Sequence, residues 1–312
     1  MTLKTSCSRR NRLGASAVLV AILAATGVFG GDHAHAAPPA PIAASPAADR
    51  MTVTVVGQGP DVILIPGLAS SSAVWDATVK QLAATHRVHV VQVAGFAGAP
   101  VAGNADGAVV APLVEAVDGY IKAKGLKSPA VIGHSLGGFT GLLLAQRHPE
   151  SIGRLMIVDS LPFFSLLFSP AATPEMVRPQ ATAMRDATVA MSPEAFAGQQ
   201  AMGAPRFVKS AEGQKQVIAW GGASSPSVVG RAMYDLLVTD ARGDLAKVKA
   251  PTTLLYAYDT AMGMPPAAAD KLFVDAYAGL SGLTARRIDD ARHFVMLDQP
   301  QAFGQAVTDF LK

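Results

Sequence analysis

The stretch Val131-Ile132-Gly133-His134-Ser135-Leu136-Gly137-Gly138 decides how the rest of the chain is read. An apolar strand pattern runs up to it, glycines turn it, and a helical pattern restarts behind it, with one serine at the apex. This is the G-x-S-x-G arrangement, in which a tight strand-to-helix turn pushes a serine hydroxyl out at the carboxyl edge of a sheet. Gly133 and Gly137 are needed sterically, because side chains there would collide with neighbouring strand and helix backbone. The helix behind Ser135 aims its positive end at the place where an oxyanion would form. Alone, the stretch reads equally well as an ordinary glycine-rich β–α turn, so the flanking sequence has to arbitrate.

Working outward on the N-terminal side, 51–56 alternates like a strand, and Asp61 to Ile65 is a continuous apolar run suited to a strand buried on both faces. Pro66-Gly67-Leu68-Ala69 follows at once, then a helix with Trp75, Val79 and Leu82 on one face. A third strand covers 87–93, and a helix covers about 109–124. On the C-terminal side a helix over 139–147 is closed by His148-Pro149, and a strand over 152–158 ends at Asp159. From Leu161 to Lys249 the alternation lapses into a stretch rich in Met, Pro and Ala, including Phe163-Phe164-Ser165-Leu166-Leu167-Phe168. It then resumes with a strand over 251–258 ending at Asp259, a helix over 267–277, a short strand over 284–288, a loop over 289–294 and a terminal helix over 301–311. Such alternation predicts an α/β fold with a mostly parallel central sheet and helices on both faces. The expected organisation is a core of 49–160 and 250–312 interrupted by a helical cap over 161–249. Ligands of such sheets bind outside the carboxyl ends of the strands, where Leu68, Ser135, Asp159 and Asp259 all fall.

A chain of 312 residues that is 50% hydrophobic and 16% charged is long enough to bury a large core and too apolar to be disordered. Its formal charge of +3 is misleading. The first 36 residues carry Lys4, Arg9, Arg10 and Arg12 against Asp32, and without them the remainder is close to neutral, so nothing argues for nucleic acid. That leader has a basic start, an apolar run from about Ala15 to Phe29, and Ala34-His35-Ala36 as an A-x-A cleavage site before Ala37. It reads as a cleavable signal peptide over 1–36 followed by a flexible Pro/Ala spacer over 37–48, and it predicts a periplasmic or secreted protein. Ser8-Arg9-Arg10-Asn11-Arg12-Leu13 partly resembles a twin-arginine signal. The apolar run is too short for a stable membrane anchor. The only cysteine, Cys7, would leave with the leader.

Serine is a weak nucleophile until a base takes its proton, and that base must be oriented by a third group. A serine elbow therefore calls for an acid at the end of a later strand and a histidine near the C-terminus. Ser135, Asp259 and His293 appear in that order, with Asp159 as the alternative acid. Here the chain resembles the α/β-hydrolase family over nearly all of the sequence after the leader. The carriers are Gly133-His134-Ser135-Leu136-Gly137-Gly138, Arg292-His293-Phe294-Val295-Met296-Leu297-Asp298-Gln299-Pro300, and Pro66-Gly67-Leu68, where the family usually has His-Gly. The resemblance implies Ser135 as nucleophile, His293 as base, and an oxyanion hole formed by the Leu68 and Leu136 backbone amides. Asp259 is the preferred acid because it lies close to the family's Gly-x-x-Asp position, although Tyr256 or Ala257 replaces the glycine.

The implied activity is hydrolysis of carboxylic esters through an acyl-enzyme, on a small apolar or acyl-bearing substrate. Amidase, lactonase and aminopeptidase chemistry use the same triad, and a non-catalytic binding protein on this fold is the reading from a different class. A serine at the apex argues against the family's epoxide hydrolases and haloalkane dehalogenases, which use aspartate. His134 is read as structural, pointing away from the elbow. His86, His89 and His148 are read as surface or interior residues without a chemical role. No histidine pair has metal-ligand spacing with an acid, so neither a metal nor a cofactor is expected. Oligomeric state has no signature in the sequence.

Overall fold

The computed structural model describes residues 49–312, so the leader and spacer expectations lie outside the described residues. The core elements follow the alternation seen in the sequence. They are β1 (Met51–Val56), β2 (Asp61–Ile65), α1 (Asp76–Leu82), β3 (Arg87–Val93), α2 (Val110–Ala123), β4 (Ala130–His134), α3 (Leu136–Arg147) and β5 (Arg154–Val158). Between β5 and β6 stand α4 (Pro174–Val189), α5 (Pro193–Phe207), α6 (Ala211–Gly222) and α7 (Pro226–Val238). The chain closes with β6 (Thr252–Tyr258), α8 (Pro266–Ala276), β7 (Leu283–Asp289), α9 (Val295–Asp298) and α10 (Pro300–Leu311).

The seven strands form one sheet in the order β1-β3-β2-β4-β5-β6-β7. Only β1 runs antiparallel, against β3; every other pairing is parallel. The continuous apolar runs of the inner strands now have their explanation, because successive residues point to opposite faces and both faces are covered. In β2, Ile63 and Ile65 join one core with Val91, Leu113 and Phe139. Val62 and Leu64 join the other with Trp75, Val88, Ile132, Phe303 and Val307. Full burial of one such side chain contributes roughly 1.5–3 kcal/mol, which makes this two-sided burial the main support of the fold.

The four helices between β5 and β6 begin in a common way. Thr173, Ser192, Ser210 and Ser225 each accept a hydrogen bond from a backbone N–H in the first turn, satisfying a donor that the helix itself cannot use. In α4, α5 and α7 a proline follows the cap, where its missing N–H is harmless and its fixed φ suits the first helical position. These helices pack as pairs, α4 with α7 and α5 with α6. They bring Phe196, Val228, Val229 and Ala232 into the core on the α3 face of the sheet. Among the described residues no helix is long and apolar enough to cross a membrane.

Candidate active site

Ser135 sits between β4 and α3 with φ 53° and ψ −118°, a conformation L-residues rarely adopt and a form of stored strain found at functional sites. Its surroundings show why glycines flank it. A Cβ on Gly133 would lie 2.1 Å from the Gly137 carbonyl oxygen, and one on Gly137 would lie 2.1 Å from the Ile65 carbonyl oxygen. The turn is pinned to the neighbouring strand by the Ser135 N–H, which donates to the Val158 carbonyl at 2.9 Å. Gly67 plays a similar part in the loop after β2, since a Cβ there would come within 3.2 Å of the Ser135 Cβ. Leu68 is thereby brought close to the elbow, and Ala69 behind it takes a positive φ of 54°. Neither the Leu68 nor the Leu136 amide donates to another backbone or side-chain acceptor among the described residues.

His293 lies in the loop between β7 and α9. Its Nδ1 is 2.6 Å from the Asp159 Oδ2. The Asp159 carboxylate is itself held from β6: its Oδ1 accepts from the Ala257 N–H at 2.9 Å, while its own N–H donates to the Leu255 carbonyl at 2.7 Å. Asp159 reaches this position with φ 47°, a left-handed conformation that Asp tolerates better than most residues. Ser135, Asp159, His293 and Leu68 line one cavity.

The structure does not bring Asp259, the acid preferred from sequence, to His293; Asp159, the alternative, is the carboxylate that contacts it. Asp259 follows β6, as expected, but its carboxylate is 2.7 Å from the Lys209 Nζ and also accepts from the Ala261 N–H at 2.9 Å. Burial alone would raise that carboxyl; the Lys209 ammonium, the Ala261 N–H and the nearby Arg292 together hold it below the usual carboxylate value. It therefore serves as an anchor for the α5–α6 linker, which carries Lys209. This linker and the end of α5 are joined to the His293 loop and α9 through Lys209 to Asp290, the Phe294 N–H to the Phe207 carbonyl at 3.0 Å, and the Lys209 N–H to Asp298 at 2.8 Å.

His134 does not simply point away. It is fully buried, and its Nε2 is 2.8 Å from the carbonyl oxygen of His293. Burial first, and the neighbouring His293 second, push its pKa well below the ordinary histidine value, so the ring is neutral. His89 is buried rather than superficial, held between the Tyr120 hydroxyl at 2.7 Å and Asp61 at 2.9 Å. His148 sits with Glu115 and Asp118 in a group whose ligand atoms lie within 4.8 Å of one another. Lys122 and Arg147 already neutralise these carboxylates, and none of the three lines the cavity.

The cavity encloses about 280 Å³ and opens over Ser135. Its walls come chiefly from the segment between β5 and β6, and Phe164, Met184, Met191, Phe196, Trp220 and Met233 give it an apolar, deformable character. The phenylalanines and methionines of this segment are evident in the sequence, but which of them face Ser135 is not. The signal that would have divided the segment into helices was present in Thr173-Pro174, Ser192-Pro193 and Ser225-Pro226.

Comparison with known proteins agrees with this architecture. Residues 60–218 match the family model described as the alpha/beta hydrolase fold. The chain is 27% identical over 264 residues to a pimeloyl-[acyl-carrier protein] methyl ester esterase of Aeromonas hydrophila, covering 84% of this chain and 100% of that relative. Among solved structures, a thermophilic esterase from Thermogutta terrifontis superposes with a TM-score of 0.70 at 19% identity, covering 84% of this chain and 92% of that one. An enol-lactonase from Burkholderia xenovorans superposes with a TM-score of 0.66 at 20% identity, covering 84% and 96%. At these identities the structural likenesses speak for the fold alone. Together with the strand order, the strained serine turn and the histidine loop, the match over half of the chain establishes that this protein belongs to the α/β-hydrolase family.

Proposed function

We propose that this protein is an exported serine hydrolase that cleaves carboxylic esters bearing an apolar acyl group. The observation that carries the reading is the 2.6 Å contact between His293 Nδ1 and Asp159, in a cavity that also exposes Ser135 on its strained turn. With Nδ1 committed to Asp159, Nε2 is the nitrogen left to take the Ser135 proton. Ser135 Oγ attacks the ester carbonyl, its proton passes to His293 Nε2, and the Asp159 carboxylate stabilises the imidazolium that forms. The Leu68 and Leu136 amides receive the developing oxyanion, each contributing roughly 3 kcal/mol if they behave as such donors usually do. The proton then goes to the departing alkoxide, and water releases the acyl group by the same steps in reverse order of roles.

The apolar walls of the cavity favour an acyl or aromatic substituent over a charged one, and the esterase named among the relatives favours esters over amides. In this reading the segment 161–249 is the cap that selects substrate, and 49–160 with 250–312 is the catalytic core. The N-terminal 36 residues direct export to the periplasm or the medium, leaving a chain that begins near Ala37. N-terminal sequencing of the protein recovered from a periplasmic fraction tests that placement.

The activity is tested with p-nitrophenyl esters from acetate to octanoate, alongside an anilide and a lactone of matched size. Ester turnover should rise with acyl length until the cavity is filled and then fall, with the anilide much slower. Failure to hydrolyse any ester, or undiminished activity in Ser135→Ala, overturns the proposal. Faster turnover of the lactone or the anilide moves the substrate class while keeping the triad.

A further inference from the structure

We propose that His134, the residue immediately before Ser135, is a positioning residue that fastens the main chain of His293 to the elbow and so keeps base and nucleophile in one relative placement. The inference rests on the reading of Ser135 and His293 as nucleophile and base. His134 Nε2 lies 2.8 Å from the His293 carbonyl oxygen. A carbonyl only accepts, so Nε2 carries the proton, and in a neutral ring Nδ1 carries none. The ring is also packed against the residues it would hold, with centroids 4.5 Å from His293 and 4.9 Å from Phe294.

Two features make this more than an incidental contact. First, His134 Nδ1 is buried without a hydrogen-bond partner, a cost of roughly 1–3 kcal/mol for a polar atom. An apolar side chain would fill the same space without that cost; what histidine adds is the bond to His293. A local rule broken beside a reacting group, with one evident gain, points to the gain as the reason. Second, the other attachments of the loop act on the neighbours of His293 or on its ring. The Arg292 N–H donates to Asp298 at 2.8 Å, the Phe294 N–H to Phe207 at 3.0 Å, and the ring to Asp159. The His134 bond alone among these joins the histidine's own main chain to the residue bonded to Ser135. Gly67 makes room for it, since a Cβ there would stand 2.8 Å from Nδ1.

A misplacement near 1 Å between reacting groups can cost on the order of 100-fold in rate. His134→Phe fills the volume and removes the donor. It should lower kcat on p-nitrophenyl butyrate about 10- to 100-fold with KM changed less than about 2-fold, because the bond matters to the proton transfer and not to substrate binding. The rate at which a fluorophosphonate labels Ser135 should fall in parallel. His134→Gln places an amide N–H where Nε2 stands and should recover most of that loss. In the unsubstituted protein, nitrogen-15 spectra of labelled histidine should show a ring with Nε2 protonated and Nδ1 bare, a measurement that decides the bond even where a variant fails to fold. A folded His134→Phe protein with kcat within about 2-fold of the original, a Gln variant no better than Phe, or the opposite tautomer overturns the proposal. Absence of labelling in the unsubstituted protein would instead refute the serine reading, leaving the tautomer to decide the bond.

Discussion

Asp159→Asn should abolish nearly all turnover while leaving the fold intact, and the structure says why. Asp159 offers one oxygen to the Ala257 N–H at 2.9 Å and the other to His293 Nδ1 at 2.6 Å. Asparagine has one oxygen and one NH₂ to place. The Ala257 N–H can only donate, so it claims the amide oxygen, and the NH₂ must then face His293 Nδ1. A donor at that position forces Nδ1 to accept and puts the ring proton on Nε2, where it cannot receive the serine proton. Wrong-tautomer substitution of this kind costs on the order of 10⁴ in kcat, equivalent to about 5.5 kcal/mol of barrier. Asp259→Asn is the matched control. It weakens the contact with Lys209, whose side chain is 31% exposed, and should cost at most about 2 kcal/mol of stability, with kcat reduced less than about 10-fold. The assay is initial-rate hydrolysis of p-nitrophenyl butyrate, with circular dichroism and melting temperature as folding checks. If Asp259→Asn is the dead enzyme and Asp159→Asn retains turnover, the assignment of the acid is wrong.

Gly137→Ala drives a Cβ to 2.1 Å from the Ile65 backbone oxygen, which cannot step aside as a side chain could. We expect a loss of at least about 3 kcal/mol, seen as a melting temperature lowered by about 6 °C or more, or no soluble protein at all; a stable, active variant contradicts the steric account of the elbow. At the opposite end of the sheet, Asp61 is held below its ordinary pKa, chiefly by hydrogen bonding to Arg87 and further by His89, against the effect of burial. A depressed carboxyl adds stability above its unfolded value near 3.9, and that stability is lost as pH falls through the folded value. Asp61→Asn should therefore melt below the original protein at pH 7, with the gap narrowing as pH falls below the unfolded carboxyl value of about 3.9; a gap that widens on acidification reverses the argument.

The elbow and the proposed base were legible because their chemistry is tied to order along the chain. A serine between glycines at a strand end requires a later histidine, and His293 precedes the last helix. The proposed acid was not legible. Asp159 and Asp259 both follow directly on the last residue of adjacent parallel strands, and their local sequences carry no mark of which carboxylate turns toward His293. What separates them is three-dimensional: Asp159 bends back at φ 47° under the Ala257 N–H, while Lys209, 50 residues away in sequence, captures Asp259. The inner strands were placed well because both of their faces are buried, so composition alone marks them. For His89 the sequence left surface and interior open, since the partners that settle its burial, Asp61 and Tyr120, come from a different strand and a helix. The segment between β5 and β6 was legible as a helical insertion but not as four separate helices; three of its helix starts are written in serine–proline and threonine–proline pairs, and which faces look into the cavity depends on how α4–α7 pair.

The central claim is that Ser135 is the activated nucleophile of this cavity. Incubation with a fluorophosphonate followed by peptide mass spectrometry tests it most directly. The account predicts one adduct, on Ser135, absent in Ser135→Ala and formed far more slowly in Asp159→Asn. An unmodified Ser135 in folded protein, or an adduct that forms as fast without Asp159, would contradict it.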